Sequence, residues 1–408
     1  MKVLYLSNGL PHYFNLVLSK INLTPEVELI VVVPSEKSQY IDAGVHETRE
    51  GVSFRIVELK EYSIGRLYAS FSGLPRLLLT ERPDLVVLPE YMARGFQFRP
   101  VLWLLRKFLS FRLVLKSIPF RLPAYDDCLK PICGNEASGT DQPFSTGDRV
   151  HERMQALWQY VVLALRRQRF LMMDAHVTYV DEAREIYGSY GVPKDKVFVT
   201  RNSPDTDALR QIEHRIIEES GLPKRELCRL LHVGRLVPQK RVRLLLEAFE
   251  EVCQQFPQAE LIIIGGGPDK EPLEALAVNL GLTKCVKFMG PIYDPIELAK
   301  QFLSAGIFVL PGLGGLSINE AMFYGLAVVC SEGDGTERFL VREAENGAYF
   351  RNGEKASLAA ALSRLLSNPV KVAQMGKKSR DIIDREVNIE TVVTGYLKAF
   401  KSVCALDR

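Results

Sequence analysis

Pro311-Gly312-Leu313-Gly314-Gly315-Leu316-Ser317-Ile318-Asn319-Glu320 follows the short apolar run Gly306–Leu310. The run reads as a buried strand, and the residues after the glycines read as the start of a helix. Strand, glycine turn and helix start together form the repeating unit of a doubly wound α/β sheet. The same unit is an anion pocket. Glycines let a phosphate approach the backbone, and the first N–H groups and the helix dipole favour negative charge. Glu320 stands one turn further in, where a carboxylate can accept hydrogen bonds from sugar hydroxyls. The implied ligand carries both a phosphate and a sugar.

Working outward, strand-length apolar runs alternate with helical patterns along the whole chain. In the first half the strand candidates are Val3–Leu6, Glu28–Val33, Ser53–Leu59, Leu85–Leu88, Leu113–Lys116, Val177–Val180 and Val197–Thr200. The rhythm restarts after Asn202, with strands expected at Leu230–Val233, Leu261–Ile264, Val286–Met289, Ile307–Leu310 and Val328–Cys330. Helices are expected between them at Val242–Gln255, Lys270–Leu280, Pro295–Ser304 and Leu316–Tyr324. The stretch Pro123–Asp148, rich in Gly, Pro, Asp, Ser and Thr, reads as a loop. A chain of 408 residues is long for one domain. The pattern predicts two Rossmann-like domains, residues 1–204 and 205–388, facing each other across a central cleft. A last helix within 389–408 has no strand to serve and is expected to cross back to the first domain.

Composition narrows the class. With 47% apolar and 25% charged residues the chain is ordinary and globular. A net charge of +3, without a recognition motif, argues against nucleic acid. The seven cysteines are odd in number and scattered, which suits reduced thiols better than a disulfide framework. Cys128 and Cys133 have no second Cys or His pair nearby, so no metal site is expected. The N-terminus reads as a strand rather than a leader, and no run of about 18 apolar residues marks a membrane span. A cytoplasmic protein is the expectation.

Three segments converge on the phosphate–sugar pocket. Arg235 and Lys240, in Leu231-His-Val-Gly-Arg235-Leu-Val-Pro-Gln-Lys240, leave the end of one strand and precede a helix. Arg forks across two phosphate oxygens and Lys adds a point charge. Arg241 and Arg243 read instead as solvated. Ile264-Gly-Gly-Gly-Pro268 reads as a turn in which glycine serves sterically. The backbone at Met289 and Gly290, after the strand Val286–Met289, is placed to read the edge of a base. In the first half, Gly9 follows the first strand. His12, Glu90, Lys116 and Ser117 lie at strand ends and are weaker candidates. His46, His151, His176, His214 and His232 form no ligand spacing.

From "HVGRLVPQK" through "LIIIGGGP", "VKFMG", "FVLPG" and "INEAMFYGLAVV" to "EGDGTERFLVREAENG", order and spacing resemble family-4-type glycosyltransferases of the GT-B fold. "NSPDTDAL" is similar to their interdomain link. The resemblance covers roughly residues 196–350 strongly and the first half weakly. It implies a retaining transferase that uses a nucleotide-diphosphate sugar (UDP or GDP) as co-substrate and no metal cofactor. It implies Arg235 and Lys240 on the pyrophosphate, Gly315, Leu316 and Ser317 as the backbone phosphate clamp, and Glu320 on the ribose. With Gly314 beside it, this loop is the donor site. The family's other glutamate, which contacts the donor sugar, would fall at Gly312 and is absent. The family's first-domain histidine is not evident; Lys116 and Ser117 occupy that region.

The stretch Tyr91–Tyr125 holds Arg94, Arg99, Arg106, Lys107, Arg112, Lys116 and Arg121, no acids, and interleaved aromatics. Such a surface suits an anionic membrane. A transferase peripheral to the inner membrane face, with a glycan or lipid-linked acceptor and a place in polysaccharide or glycolipid assembly, is expected. The alternatives are a catalytically impaired nucleotide binder and a nucleotide-sugar epimerase. A dinucleotide oxidoreductase is disfavoured, because Ser7-Asn-Gly9 lacks the G-x-G-x-x-G fingerprint.

Overall fold

A computed structural model describes residues 1–38, 47–49, 51–64, 68–133, 146–333 and 335–405; the side chains of residues 12, 13, 68, 121, 130–133 and 146–153 lie outside that description. The chain forms two compact units, Met1–Thr200 with Val393–Arg408, and Arg201–Val392.

The strands of the first unit are β1 (Lys2–Leu6), β2 (Glu28–Pro34), β3 (Arg55–Leu59), β4 (Glu61–Ile64), β5 (Tyr68–Phe71), β6 (Leu85–Pro89), β7 (Arg112–Lys116), β8 (Ala175–Thr178) and β9 (Val197–Val199). Seven of them make one sheet in the order β3-β2-β1-β6-β7-β8-β9, and every pairing in it is parallel. The central strands are covered on both faces and therefore read as unbroken apolar runs. Val3, Leu4, Val86, Val87, Leu113 and Val114 have no exposed surface.

The second unit contains β10 (Glu226–Val233), β11 (Glu260–Ile264), β12 (Val286–Gly290), β13 (Ala305–Leu310), β14 (Ala327–Cys330) and β15 (Gly347–Tyr349). Their order is β12-β11-β10-β13-β14-β15, again all parallel. This is the Rossmann order, in which the direction of winding reverses between the first and fourth strands. The reversal here lies between β10 and β13, and loops after those strands open side by side at the sheet's carboxyl edge.

Two expectations are corrected. The strand read at Val177–Val180 is Ala175–Thr178. Asp174 anchors its start: its amide donates to the Leu113 carbonyl (2.9 Å) and its carboxylate accepts from the Leu113 amide (2.7 Å). The loop read at Pro123–Asp148 begins instead with a helix, Tyr125–Cys133, and a 26-residue helix starts at Thr146. Asp126 and Asp127 in the first turn suit a helix N-terminus. Tyr125 is held from outside, its amide on Ser189 Oγ (2.9 Å) and its ring edge-on to Tyr190. The short β15 and the β4–β5 hairpin gave no readable period.

The last helix, Ile389–Cys404, crosses back to the first unit. Tyr396 is fully buried there, 6.4 Å from the Phe14 ring and 5.9 Å from Phe400. Gly395 passes so close to Thr200 that a Cβ would lie 3.1 Å from its Cα. Lys401 pairs with Glu26 at 2.6 Å. Emptying the Tyr396 site should lower the stability of the chain by about 3 kcal/mol. We expect Tyr396→Ala to shift the denaturant midpoint accordingly; an unchanged midpoint would show that the helix is not part of the first unit's core.

Candidate functional site

The glycine loop Pro311–Gly315 lies against the loop after β10. The amide of Leu313 donates to the Gln239 carbonyl at 2.9 Å. A Cβ on Gly312 would stand 2.2 Å from that same carbonyl oxygen and 2.8 Å from the Lys240 carbonyl carbon. No side chain fits at Gly312. The carboxylate expected from the family pattern is therefore excluded by backbone, beyond being absent from the sequence.

Lys240 closes the short turn Pro238–Lys240 and is buried. Its ammonium donates to the carbonyls of Leu313 (2.8 Å) and Gly314 (2.6 Å). In a trans peptide the N–H points opposite to the C=O. Turning these two carbonyls toward Lys240 therefore turns the Gly314 and Gly315 N–H groups away from it. The helix Ser317–Phe323 follows without a side-chain cap. Among the described residues, the N–H groups of Gly315, Leu316 and Ser317 donate to no atom of the chain. Donors in this state at a helix start suit an oxyanion.

Glu320 sits on the first turns of that helix, partly open to solvent but among enough protein that desolvation pushes its carboxyl up to about 7. Among the described residues, its carboxyl makes no hydrogen bond or ion pair. Its neighbour Asn319 is buried and donates to the Asn202 carbonyl at 3.1 Å, which anchors the helix to the start of the unit.

Two supports were not read from the sequence. Glu337 is fully buried, accepts from the Gly335 amide (3.1 Å), and lies 2.9 Å from where a Cβ on Gly314 or Gly333 would be. It lies within the quoted "EGDGTERFLV", but nothing in spacing assigns it to this loop. His232 is fully buried on β10 with Nδ1 2.9 Å from the Val309 carbonyl, and burial lowers its pKa to about 4. It is neutral, with Nδ1–H donating across to β13.

Arg235 is half-buried just after β10 and is engaged within the chain. The triple glycine has the steric role expected: Gly265 adopts φ +150°, and a Cβ there would overlap the Gly234 oxygen at 1.8 Å. Met289 is exposed and Gly290 has φ +70°, at the carboxyl end of β12 two strands from β10. Arg235, Lys240, the loop 312–317 and Glu320 thus share one sheet edge of the second unit.

The first-unit candidates are dispersed among other partners. Gly9 is tied to Ser7, whose hydroxyl donates to the Gly9 carbonyl at 2.6 Å. Glu90 pairs with the buried Arg169 at 3.2 Å. Ser117 Oγ bonds the buried Tyr187 hydroxyl. Lys116 lies over the Phe14 ring. The His12 side chain is outside the described residues. A cavity of about 650 Å³ opens beside Gly9, lined in part by Asn8, Ser35, Lys37 and Glu47. Sequence reading did not find it, because it joins segments that no periodicity connects.

The expected basic membrane face is also changed. Arg106 and Arg112 both turn to Asp174 (2.8 and 3.6 Å), and Arg99 donates to Ser70 (3.1 Å). The Arg121 side chain is outside the described residues. Lys107 remains outward, 4.1 Å over the Trp103 ring. Among the described residues, no three His, Cys, Asp or Glu side chains gather to hold a metal ion. No helix among them is long and apolar enough to cross a membrane.

Two Rossmann-like units with a returning C-terminal helix define a GT-B protein. Residues 214–382 match the family model described as "Glycosyl transferases group 1". The matched segment lies wholly within the second unit. It is 30% identical over 211 residues to "D-inositol 3-phosphate glycosyltransferase 2" of Catenulispora acidiphila, covering 48% of this chain and 49% of that protein. It is 28% identical over 235 residues to "Sulfoquinovosyl transferase SQD2" of Arabidopsis thaliana, covering 55% and 42%. The chain spans about half the length of the curated relatives it matches. Among solved structures, Anabaena HepE in complex with UDP aligns with a TM-score of 0.66 at 18% identity, covering 98% of this chain and 100% of that one. Sucrose-phosphate synthase from Thermosynechococcus elongatus aligns with a TM-score of 0.65 at 17% identity, covering 99% of each. These likenesses show the fold.

The desolvated Glu320 makes stability depend on pH. Its folded pKa, about 7, exceeds the ordinary 4.5. The folded state therefore holds the proton longer, and stability falls as pH rises through that window. The penalty is complete above pH 7, on the order of 3 kcal/mol before solvent screening at the half-open carboxyl lowers it. Glu320→Gln should match the wild type at pH 4 and melt higher at pH 8 without ligand. A melting difference independent of pH would show that Glu320 is not desolvated.

Proposed function

We propose that the protein transfers a sugar from a nucleotide-diphosphate sugar to a hydroxyl acceptor, with retention. One observation carries this reading: unpartnered N–H groups at Gly315–Ser317, the first of them turned outward by Lys240, stand one turn before an unpartnered carboxyl at Glu320. The N–H groups suit a diphosphate, and Glu320 suits the ribose hydroxyls, which would repay its desolvation. Arg235 forks onto the pyrophosphate, and Met289–Gly290 reads the base. The presence of UDP in HepE favours a uridine donor.

Transfer breaks the bond between the anomeric carbon and the phosphate oxygen, and the electron pair stays on the leaving diphosphate. Arg235 and the loop N–H groups stabilise that charge; Lys240 adds its field and holds the loop. Such preorganised donors cost no rearrangement during reaction. The acceptor oxygen attacks on the face the leaving group has left, and its proton passes to the departing phosphate oxygen. No protein nucleophile is required. Because Gly312 leaves no room for a side chain, contact to the donor sugar there is limited to backbone, which makes donor choice differ from that of relatives with a glutamate.

The expected setting is glycolipid or polysaccharide assembly at the inner membrane face. Relatives named for a phosphatidylinositol monomannoside mannosyltransferase and for amylovoran biosynthesis support it. On the helix Pro100–Leu109, Val101, Leu104 and Phe108 form one exposed stripe, with Phe108 75% exposed. Leu157, Trp158 and Val161 repeat the pattern on Thr146–Leu171. With most cations turned inward, apolar insertion outweighs electrostatic attraction. The protein should float with vesicles and stay bound at high salt. Loss of binding in Phe108→Asp would support the stripe; no flotation at low salt would exclude it.

Gly312 also favours a second reading, a nucleotide binder without transfer. Arg235→Ala separates the two. For a transferase, acceptor-dependent release of nucleotide should fall about 10²–10³-fold while the fold is kept. Nucleotide release that never depends on acceptor would favour the binder.

A further inference from the structure

Lys116 ends β7, in register with Pro89 of β6 and Val177 of β8, at the carboxyl edge of the first unit's sheet. Its ammonium lies 3.2 Å from the centre of the Phe14 ring, 5.7 Å from Tyr5 and 5.6 Å from Tyr179. Among the described residues, the Lys116 ammonium makes no hydrogen bond or ion pair. Other cations of this unit differ: Arg99 reaches Ser70, Arg106 and Arg112 share Asp174, and Arg169 takes Glu90. Burial pushes the Lys116 amine well below the ordinary lysine range.

Three rings attract a cation but supply no counter-charge. A desolvated ammonium without an acid is costly, and an apolar chain of the same length would pack there at no such cost. Lys116 nevertheless keeps a partial opening to solvent. It also lies at the edge where open α/β sheets receive ligands. These facts together ask for an oxyanion delivered from outside.

We propose that Lys116 is an oxyanion-binding residue of the first unit, contacting a phosphate or carboxylate carried by the acceptor. Naming the ligand an acceptor rests on the transferase reading; the oxyanion site does not. The rings hold the amine in place, and the oxyanion completes its coordination. The site therefore selects charged acceptors over neutral sugars.

The test is acylation of the full chain by a water-soluble amine-reactive ester, read at the Lys116 peptide by mass spectrometry. Inorganic phosphate, glucuronate and neutral glucose are the three arms. At about ten times its dissociation constant, a bound oxyanion should slow labelling about tenfold. Protection by phosphate assigns a phosphorylated acceptor, and protection by glucuronate a carboxylated one. Equal labelling in all three arms, or equal protection by glucose, overturns the proposal. Lys116→Met should keep the thermal shift given by UDP, which reports the second unit. If Lys116→Met loses that shift, Lys116→Arg provides the folded control, and its failure to weaken under phosphate competition with a phosphorylated acceptor also overturns the proposal. A wild type that never responds to UDP would count against the transferase reading while leaving the labelling result intact.

Discussion

The two hydrogen bonds from the Lys240 ammonium to the Leu313 and Gly314 carbonyls organise the carboxyl edge of the second unit's sheet. They join the loop after β10 to the loop after β13, the two strands that flank the reversal of winding. The Gln239 carbonyl on the Leu313 amide doubles the tie. A cation clamped on carbonyls from behind polarises those peptides and presents their N–H groups forward. Lysine in this place would act on an anion through the backbone as well as through its own charge. The tie also dictates glycine at 312, since the two loop backbones meet with no space between them.

The same close packing explains the asymmetry of the site. The loop geometry leaves two kinds of group unsatisfied, the N–H groups at Gly315–Ser317 and the carboxyl of Glu320, and these are the groups the proposed phosphate and ribose contacts would use. Beneath the loop, Glu337 and His232 are fully buried and hold the backbone rather than facing outward. At Gly312 the close backbone leaves no room for a side chain, so under the proposed reading that position offers a sugar only backbone contact.

In the first unit, charge is spent inside the fold. Asp174 gathers Arg106 and Arg112 from more than sixty residues away, and its own amide and carboxylate start β8. Glu90, which as a sequence feature stands alone at a strand end, meets Arg169 from a helix far along the chain. What is left outward on Pro100–Leu109 is apolar, with Lys107 resting on Trp103. Lys116 is the contrary case, a cation turned inward without an acid.

The amino-acid sequence alone determined the α/β class and most strand positions. Strands buried on both faces must be continuous apolar runs, as at Val86–Leu88 and Ile307–Leu310, and that signal is local. Glycines at 312, 314 and 315 marked a turn for the same local reason. Short elements such as Gly347–Tyr349 carry too few residues to show a period, and Tyr125–Cys133 hides in a loop-like composition. Partnership was decided by tertiary structure: Lys240 with the carbonyls of another loop, Glu337 beneath Gly314, Lys116 among three rings. These contacts depend on the order of strands in the sheet, which brings together residues tens of positions apart, and no periodicity along the chain records that order.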